Sequence, residues 1–548
     1  MDDTTTTVKR GLDDGDESEA KRVKTVDEVQ EEPQVKAEAA PESETDPSLD
    51  STAAEKKAKG KRRDAAGFAH SRKGKDKDTK NTGRRRRDRN EEDAEGKPAA
   101  TEDNGEPKAP RLPKRMCALL IGFCGSGYSG MQIQNNAKTI ENALFDAMVR
   151  AGAVSQDNAD DPVKVNIARA ARTDAGVHAA GNVVSMKMIT TVPGVPDMTA
   201  RINEELPPEI RLWGHVRVQN SFNPRTLCDS RKYTYFFPTY ILLPPKPNSP
   251  LYRVLTEHAA ASLSSSPPPP SPIVGHLFWA NAESSTEAED MARKRAWRID
   301  PTQLEQLRTS AQKYLMTHNF HNFTVNAEFS DRSNQRVMKN IVIADPVVYG
   351  ETEWISVLFH GQSFMMHQVR KMISALVLTC RTGTPPQIID ELYGPRKIFI
   401  PKMPALGLLL DQPIFDTYNV RMGRVNEKLT PADADYRPAI DFSEHQEKMD
   451  AFKQTHIYDN MRKVEDRDGL YDGWIRMVDA YEGNDLLYLN PKGTIPPVAI
   501  IKDRHRKNAF MEKKLFDATS FPEMKAGLEL AEEDEEVVGK EKKVDTEG

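Results

Sequence analysis

Arg172-Thr173-Asp174-Ala175-Gly176-Val177-His178-Ala179 is the densest chemical motif in the chain, and its setting governs the reading of everything around it. Before it, Lys164-Val165-Asn166-Ile167-Ala168 has the pattern of a strand; after it, Val183-Val184-Ser185-Met186-Lys187-Met188 has the same. An aspartate among small residues, beside a glycine on a strand-to-strand loop, offers its carboxylate to a cleft. The bland alternative is an Asx-turn, in which Asp174 bonds its own backbone. Chemistry alone leaves both open.

Further out, Met116 to Phe123 (MCALLIGF) reads as a buried strand. Thr139 to Arg150 reads as an amphipathic helix with Ile140, Leu144, Phe145 and Met148 on one face. Between them Gly125-Ser126-Gly127-Tyr128-Ser129-Gly130 matches the dinucleotide fingerprint G-x-G-x-x-G. That fingerprint works only when a helix begins inside the turn and points its N-terminus at the pyrophosphate. Here Met131 to Lys138 delays the helix, so no dinucleotide is expected. The glycines are expected instead to let a nucleic-acid backbone approach closely.

The run Arg172 to Ala179 resembles the catalytic loop of the TruA family of tRNA pseudouridine synthases, R-T-D-x-G-V-H-A. Other blocks follow in the family's order: Gly125 to Gln132, Asn203 to Pro207, Ser221 to Arg225, Arg231 to Tyr235, Gly361 to Met372 and Pro404 to Leu410. The last two, with His318 to Phe323, look like the eukaryotic branch. Met131 stands where the bacterial branch has Trp, and Pro224 where the family usually has Ala before the Arg. The resemblance covers about residues 116–415.

The resemblance implies the site. Asp174 would be the nucleophile, Tyr233 would lie against the target base and help move a proton, and Arg370 would form an ion pair that keeps Asp174 ionised. Phe364 to Thr379 reads as an amphipathic helix closed near Gly383, so Arg370 would reach the site from an element distant in sequence. Arg172 and Arg225 would bind phosphates, and Leu408, in the Leu408 to Leu410 run, would give the base an apolar contact. No cofactor is implied. No metal is expected either: Cys117, Cys124, Cys228 and Cys380 lack C-x-x-C spacing, and His318 with His321 lacks a matching pair.

The implied fold is α/β (α+β), with two subdomains sharing an antiparallel sheet around a central catalytic cleft. Its boundaries would be 114–240, carrying the Asp174 loop, and 241–415, carrying a Pro/Ser-rich insertion at 262–272. An extension, 416–522, has aromatic and basic residues (Tyr471, Trp474, Lys502, Arg504, Arg506) suited to further RNA surface.

The 548 residues carry 77 Lys and Arg against 83 Asp and Glu, a formal charge of -6 that hides a division. Residues 1–50 hold sixteen acidic side chains against six basic, and 523–548 hold ten against four, whereas 51–113 hold nineteen basic against twelve acidic. Both tails, 1–113 and 523–548, read as disordered, since they carry too little apolar surface to offset chain entropy. What is left, 114–522, is mildly basic. Lys21 to Lys24, Lys56 to Arg63 and Arg84 to Arg87 suit a nuclear import receptor.

Four cysteines exclude a disulfide-stapled secreted protein, no run approaches 18 apolar residues, and the opening MDDTTTTVKR lacks an apolar h-region, so neither membrane span nor secretory signal is expected. The expectation is a nuclear, monomeric enzyme isomerising uridine in tRNA at several positions and in other RNAs such as snRNA and mRNA. Its rival is an RNA-binding, RNA-folding protein on the same scaffold that has lost the chemistry.

Overall fold

In the computed structural model the described residues are 111–517, apart from 135, 263–272, 283 and 503–507. The tails before residue 111 and after residue 517, the Pro/Ser-rich run from 263, and Arg504 with Arg506 lie outside them. Ten strands form one sheet: β1 (Lys114–Phe123), β2 (Ala168–Arg169), β3 (His178–Ile189), β4 (Ile210–Arg217), β5 (Ser230–Pro238), β6 (Met316–Asn319), β7 (Gln335–Ile343), β8 (Val347–Tyr349), β9 (Thr352–Gly361) and β10 (Leu408–Ile414). The order is β4-β1-β3-β10-β5-β9-β7-β6, with β2 added to β3 and β8 to β9. β1 is buried from Met116 onward, as an unbroken apolar run requires of a strand covered on both faces.

Among the described residues every strand pairing is antiparallel except one. β3 and β10 run parallel through His178↔Leu409 and Ala179↔Leu410, and there the two halves of the sheet meet. The expected sheet is therefore mixed at its seam. The departure has a geometric reason: the loop before β3 and the loop before β10 can converge on one point only if both strands leave it in the same direction.

Helix Ile140–Arg150, capped by the Thr139 side chain, covers the first half together with Met198–Glu205. Helix Gln368–Thr382 crosses the second half with all fifteen residues buried, and ends at Gly383, whose φ of 61° closes it. It begins four residues later than the expected Phe364, because His367 sits in the left-handed region at φ 59° and cannot continue a helix backwards. The strand expected at 164–168 also differs. Asp161 accepts the Val163 N–H at 2.8 Å and Pro162 fixes the first φ, so Pro162–Val165 coils into a 3-10 turn; only Ala168 and Arg169 pair with β3.

Described residues beyond 416 are built into the same core. Tyr471 and Trp474, expected at an RNA-facing surface, are fully buried: Tyr471 Oη donates to the Phe236 carbonyl at 2.6 Å and Trp474 Nε1 to the Lys402 carbonyl at 2.8 Å. On helix Leu470–Asp479 they face inward with Ile475 and Val478. Arg381, at the end of the long buried helix, is held by Asp479 through two bonds of 2.5 and 3.0 Å. Among the described residues no helix is long and apolar enough to cross a membrane.

Candidate active site

The Asp174 loop is shaped by backbone. Met131 N–H donates to the Thr173 carbonyl at 3.1 Å and Gly176 N–H to the Tyr128 carbonyl at 3.3 Å, so the glycine turn and the loop are stitched together. A Cβ on Gly125 would stand 2.0 Å from the Val177 carbonyl oxygen, and one on Gly130, at φ 92°, 2.8 Å from that of Thr173. The sequence suggested a glycine turn opened for nucleic acid. The backbone that comes close is instead the chain's own catalytic loop.

His178 pins this assembly from beneath. Its Nδ1 accepts the Gly125 N–H at 3.0 Å, so its Nε2 carries the proton and donates to the Leu406 carbonyl at 3.0 Å. Burial pushes its pKa down to about 4, which keeps the ring neutral in that role. One side chain thus ties the glycine turn, the Asp174 loop and the segment before β10.

Above the seam lies a cavity of about 190 Å³ whose lining includes Asp174, Tyr233, Leu408, Arg172, Arg225 and His367. Tyr233 is 8% exposed on β5, with Leu410 and Phe359 as cross-strand neighbours and its ring edge-on to Phe364 at 5.0 Å. Leu408 opens β10 beside it. Arg172 and Arg225 are exposed at the rim. Pro224 fits its turn: the Asn223 side chain accepts the N–H groups of Arg225 and Thr226, and no bond asks for an N–H at residue 224.

Asp174 bonds its neighbour across the cavity. His367 Nδ1 lies 2.8 Å from Asp174 Oδ2, whereas the nearest nitrogen of Arg370, Nη1, is 4.0 Å away. Arg370 is wholly buried behind the cavity and does not line it. The Arg370–Asp174 ion pair that the resemblance implied is present at that 4.0 Å separation, and His367, which the sequence did not single out, adds the shorter, direct bond. Burial would raise the Asp174 pKa, but the bond and charge from His367, then the charges of Arg370 and Lys402, outweigh it and hold the carboxyl below its ordinary value. The side chain is ionised and 35% exposed toward the cavity.

Two further residues escaped the sequence reading. Arg231, nearly buried, donates to the carbonyls of Gln362 at 3.1 Å and Ala170 at 2.9 Å, joining cavity walls from both halves of the sheet. Glu141, fully buried in the first helix, accepts from the Arg169 side chain at 2.5 Å and so fixes a fourth arginine at the cavity. For His367 the sequence cue was only its place in the Gly361 to Met372 block, just ahead of Arg370.

A mostly antiparallel mixed sheet with an aspartate loop at its central seam fits the TruA-like fold that the sequence blocks implied. Residues 310–416 match the family model described as tRNA pseudouridine synthase. The chain is 41% identical over 424 residues to tRNA pseudouridine synthase 1 of Candida glabrata, covering 69% of this chain and 74% of that protein. Against the protein of the same name from Eremothecium gossypii it is 40% identical over 434 residues, covering 71% and 79%. With the Saccharomyces cerevisiae protein of that name the identity is 42% over 388 residues, covering 64% and 68%. The chain belongs to the tRNA pseudouridine synthase family.

Proposed function

We propose that the protein isomerises uridine to pseudouridine in tRNA. The observation that carries this is an ionised Asp174 set at the rim of a cavity with the scale of one nucleobase, facing Tyr233 and Leu408. A target uridine leaves its stack to enter. The C1′–N1 bond breaks and its electron pair leaves with the base. The base turns, C5 bonds to C1′, and the C5 proton departs. Asp174 either bonds to C1′ as N1 leaves, that bond breaking again when C5 bonds to C1′, or takes a proton from the sugar and returns it at that point; either way the carboxylate is regenerated, and N1 gains a proton as C5 loses one. Tyr233 lies against the base and takes part in removing the C5 proton, while Leu408 supplies the apolar contact.

Several tRNA positions, and snRNA and mRNA, fall within reach of this reading. Arg172 and Arg225 at the rim contact phosphates, and phosphate contacts hold RNA without reading its sequence. Asp174, Tyr233, Leu408, Arg172 and Arg225 line one cavity of a single chain, which supports action as a monomer. The basic clusters of the N-terminal tail support nuclear import through a receptor. Deleting 1–113 is expected to leave activity unchanged, because the catalytic blocks begin after Met116, and to move a tagged protein from nucleus to cytoplasm. An RNA-folding protein without chemistry is the rival, and the joint presence of Asp174, Tyr233 and Arg370 speaks against it.

Chemical mapping of pseudouridine in tRNA incubated with purified protein tests the proposal. Asp174→Ala is expected to abolish the modification while tRNA affinity stays within about threefold, since many phosphate contacts hold the RNA. Modification by the variant at the wild-type rate would reject Asp174 as nucleophile, and an unmodified tRNA with wild-type protein would favour the rival.

A further inference from the structure

Arg370 has four nitrogen-borne claims on its surroundings, and only one faces the cavity. Its Nε donates to the Met403 carbonyl at 2.6 Å. Its Nη2 donates to Asp517 Oδ1 at 2.6 Å and to the Phe516 carbonyl at 3.3 Å. Its Nη1 is buried, makes no hydrogen bond among the described residues, and lies 4.0 Å from Asp174 Oδ2. Asp517 stands 147 residues after Arg370, in a segment that sequence alone would never place here.

The segment is fastened independently at several points. Phe510 is buried against Phe399 and Tyr481, and its N–H donates to Asp485 at 2.9 Å. Glu512 accepts the backbone N–H of Lys402 at 2.7 Å. Phe516 is buried. The second oxygen of Asp517 accepts from the Lys402 ammonium at 2.6 Å. Burial works against ionisation of Asp517, and the charges of Arg370 and Lys402 outweigh it, so the carboxyl stays below its ordinary range.

We propose that Asp517 is a positioning residue for the reaction: it holds the outer edge of the Arg370 guanidinium and leaves Nη1 aimed at Asp174. The inference rests on the proposed pseudouridine synthase activity. The charge balance of that reaction explains why such a residue is needed. When the C1′–N1 bond breaks, its electron pair goes to the base, and Asp174 loses its negative charge by bonding to the sugar or taking its proton. One negative charge has then moved from Asp174 to the base. If Asp174 were the sole counter-charge of a guanidinium with no exposed surface, that step would strand a buried cation, at high cost. Asp517 stays charged throughout, so Arg370 keeps a partner while Asp174 reacts.

The experiment is single-turnover pseudouridine formation on saturating tRNA, with affinity and melting temperature measured for each variant and the wild type and Asp174→Ala run in parallel. Asp517→Asn is expected to slow the reaction about tenfold or more while tRNA affinity stays within about threefold. Asp517→Ser, a second neutral variant, should show the same drop, and Asp517→Glu should recover part of the rate. In an Arg370→Lys background, adding Asp517→Asn should cost less than about threefold, because the two act through one contact. A folded neutral variant that turns over at or above the wild-type rate overturns the proposal, as does an equal loss in both backgrounds. An inactive wild type would instead bring down the activity on which it rests.

Discussion

The two walls of the cavity are held by different physics. On the Asp174 side, position comes from backbone: glycines too close to carbonyls for any side chain, and N–H groups crossing from turn to loop. On the far side, position comes from side-chain charge: Asp517 accepts from both Arg370 and Lys402, Arg370 also donates to the Met403 carbonyl, and His367 reaches across to the Asp174 carboxylate. Backbone fit tolerates almost no substitution, whereas a charge network tolerates partial replacement. The first wall should therefore fail abruptly and the second by degrees.

Gly125→Ala strikes the first wall hardest. The new methyl would stand 2.0 Å from the Val177 carbonyl oxygen, and backbone has to move. We expect a loss of about 3 kcal/mol or more of stability together with over 100-fold loss of pseudouridine formation. Calorimetry and the mapping assay measure both, and a stable, active alanine variant would break the contrast between the walls.

On the second wall, His367→Ala removes the one direct bond to Asp174 that this network supplies. A hydrogen bond to a charged group is worth about 1.5–3 kcal/mol, so the single-turnover rate should fall about 10- to 100-fold. Melting temperature should change little, because the histidine borders an open cavity. A rate unchanged by His367→Ala but cut by Arg370→Lys would restore the arginine to first place.

The smallest effect concerns neither wall but the extension behind them. Glu465 is buried, accepts from Tyr240 Oη and from the Tyr471 N–H at 3.0 Å, and burial raises its pKa to about 7. Its folded pKa exceeds the unfolded one, so the folded state binds the extra proton. Stability should therefore fall as pH rises from about 4.5 to about 7, then level off. Melting curves from pH 5 to 7.5 should decline more for the wild type than for Glu465→Gln. Parallel slopes would assign the pH response to other groups, Asp411 among them, whose pKa burial raises to about 6.

The same division explains what the sequence disclosed. Backbone constraints leave marks in single residues: the glycine turn and the Gly383 stop were readable, though not what the turn packs against, and the first helix falls where its apolar spacing puts it. Where a local cap competes with an apolar pattern the reading failed, as at Asp161-Pro162, which turned an expected strand into a 3-10 coil. His367 hid inside a helical pattern because its left-handed backbone has no compositional signature. Tyr471 and Trp474 looked like a surface since nothing in their neighbourhood names the strand and loop that bury them. Asp517 had no local cue at all; its meaning lies in a partner far away along the chain.

The helix Gln368–Thr382 carries Arg370 near one end and Arg381 near the other, about 16 Å apart at the standard rise. Both ends are bolted by carboxylates from the C-terminal third, Asp517 and Asp479, and no residue between them touches solvent freely. Such a rod cannot tilt toward a ligand without tearing at both bolts. On the proposed activity, adaptation then falls to the tRNA, which would bend, melt or extrude its uridine to meet a wall that stands still. Substrates would rank by how cheaply they deform.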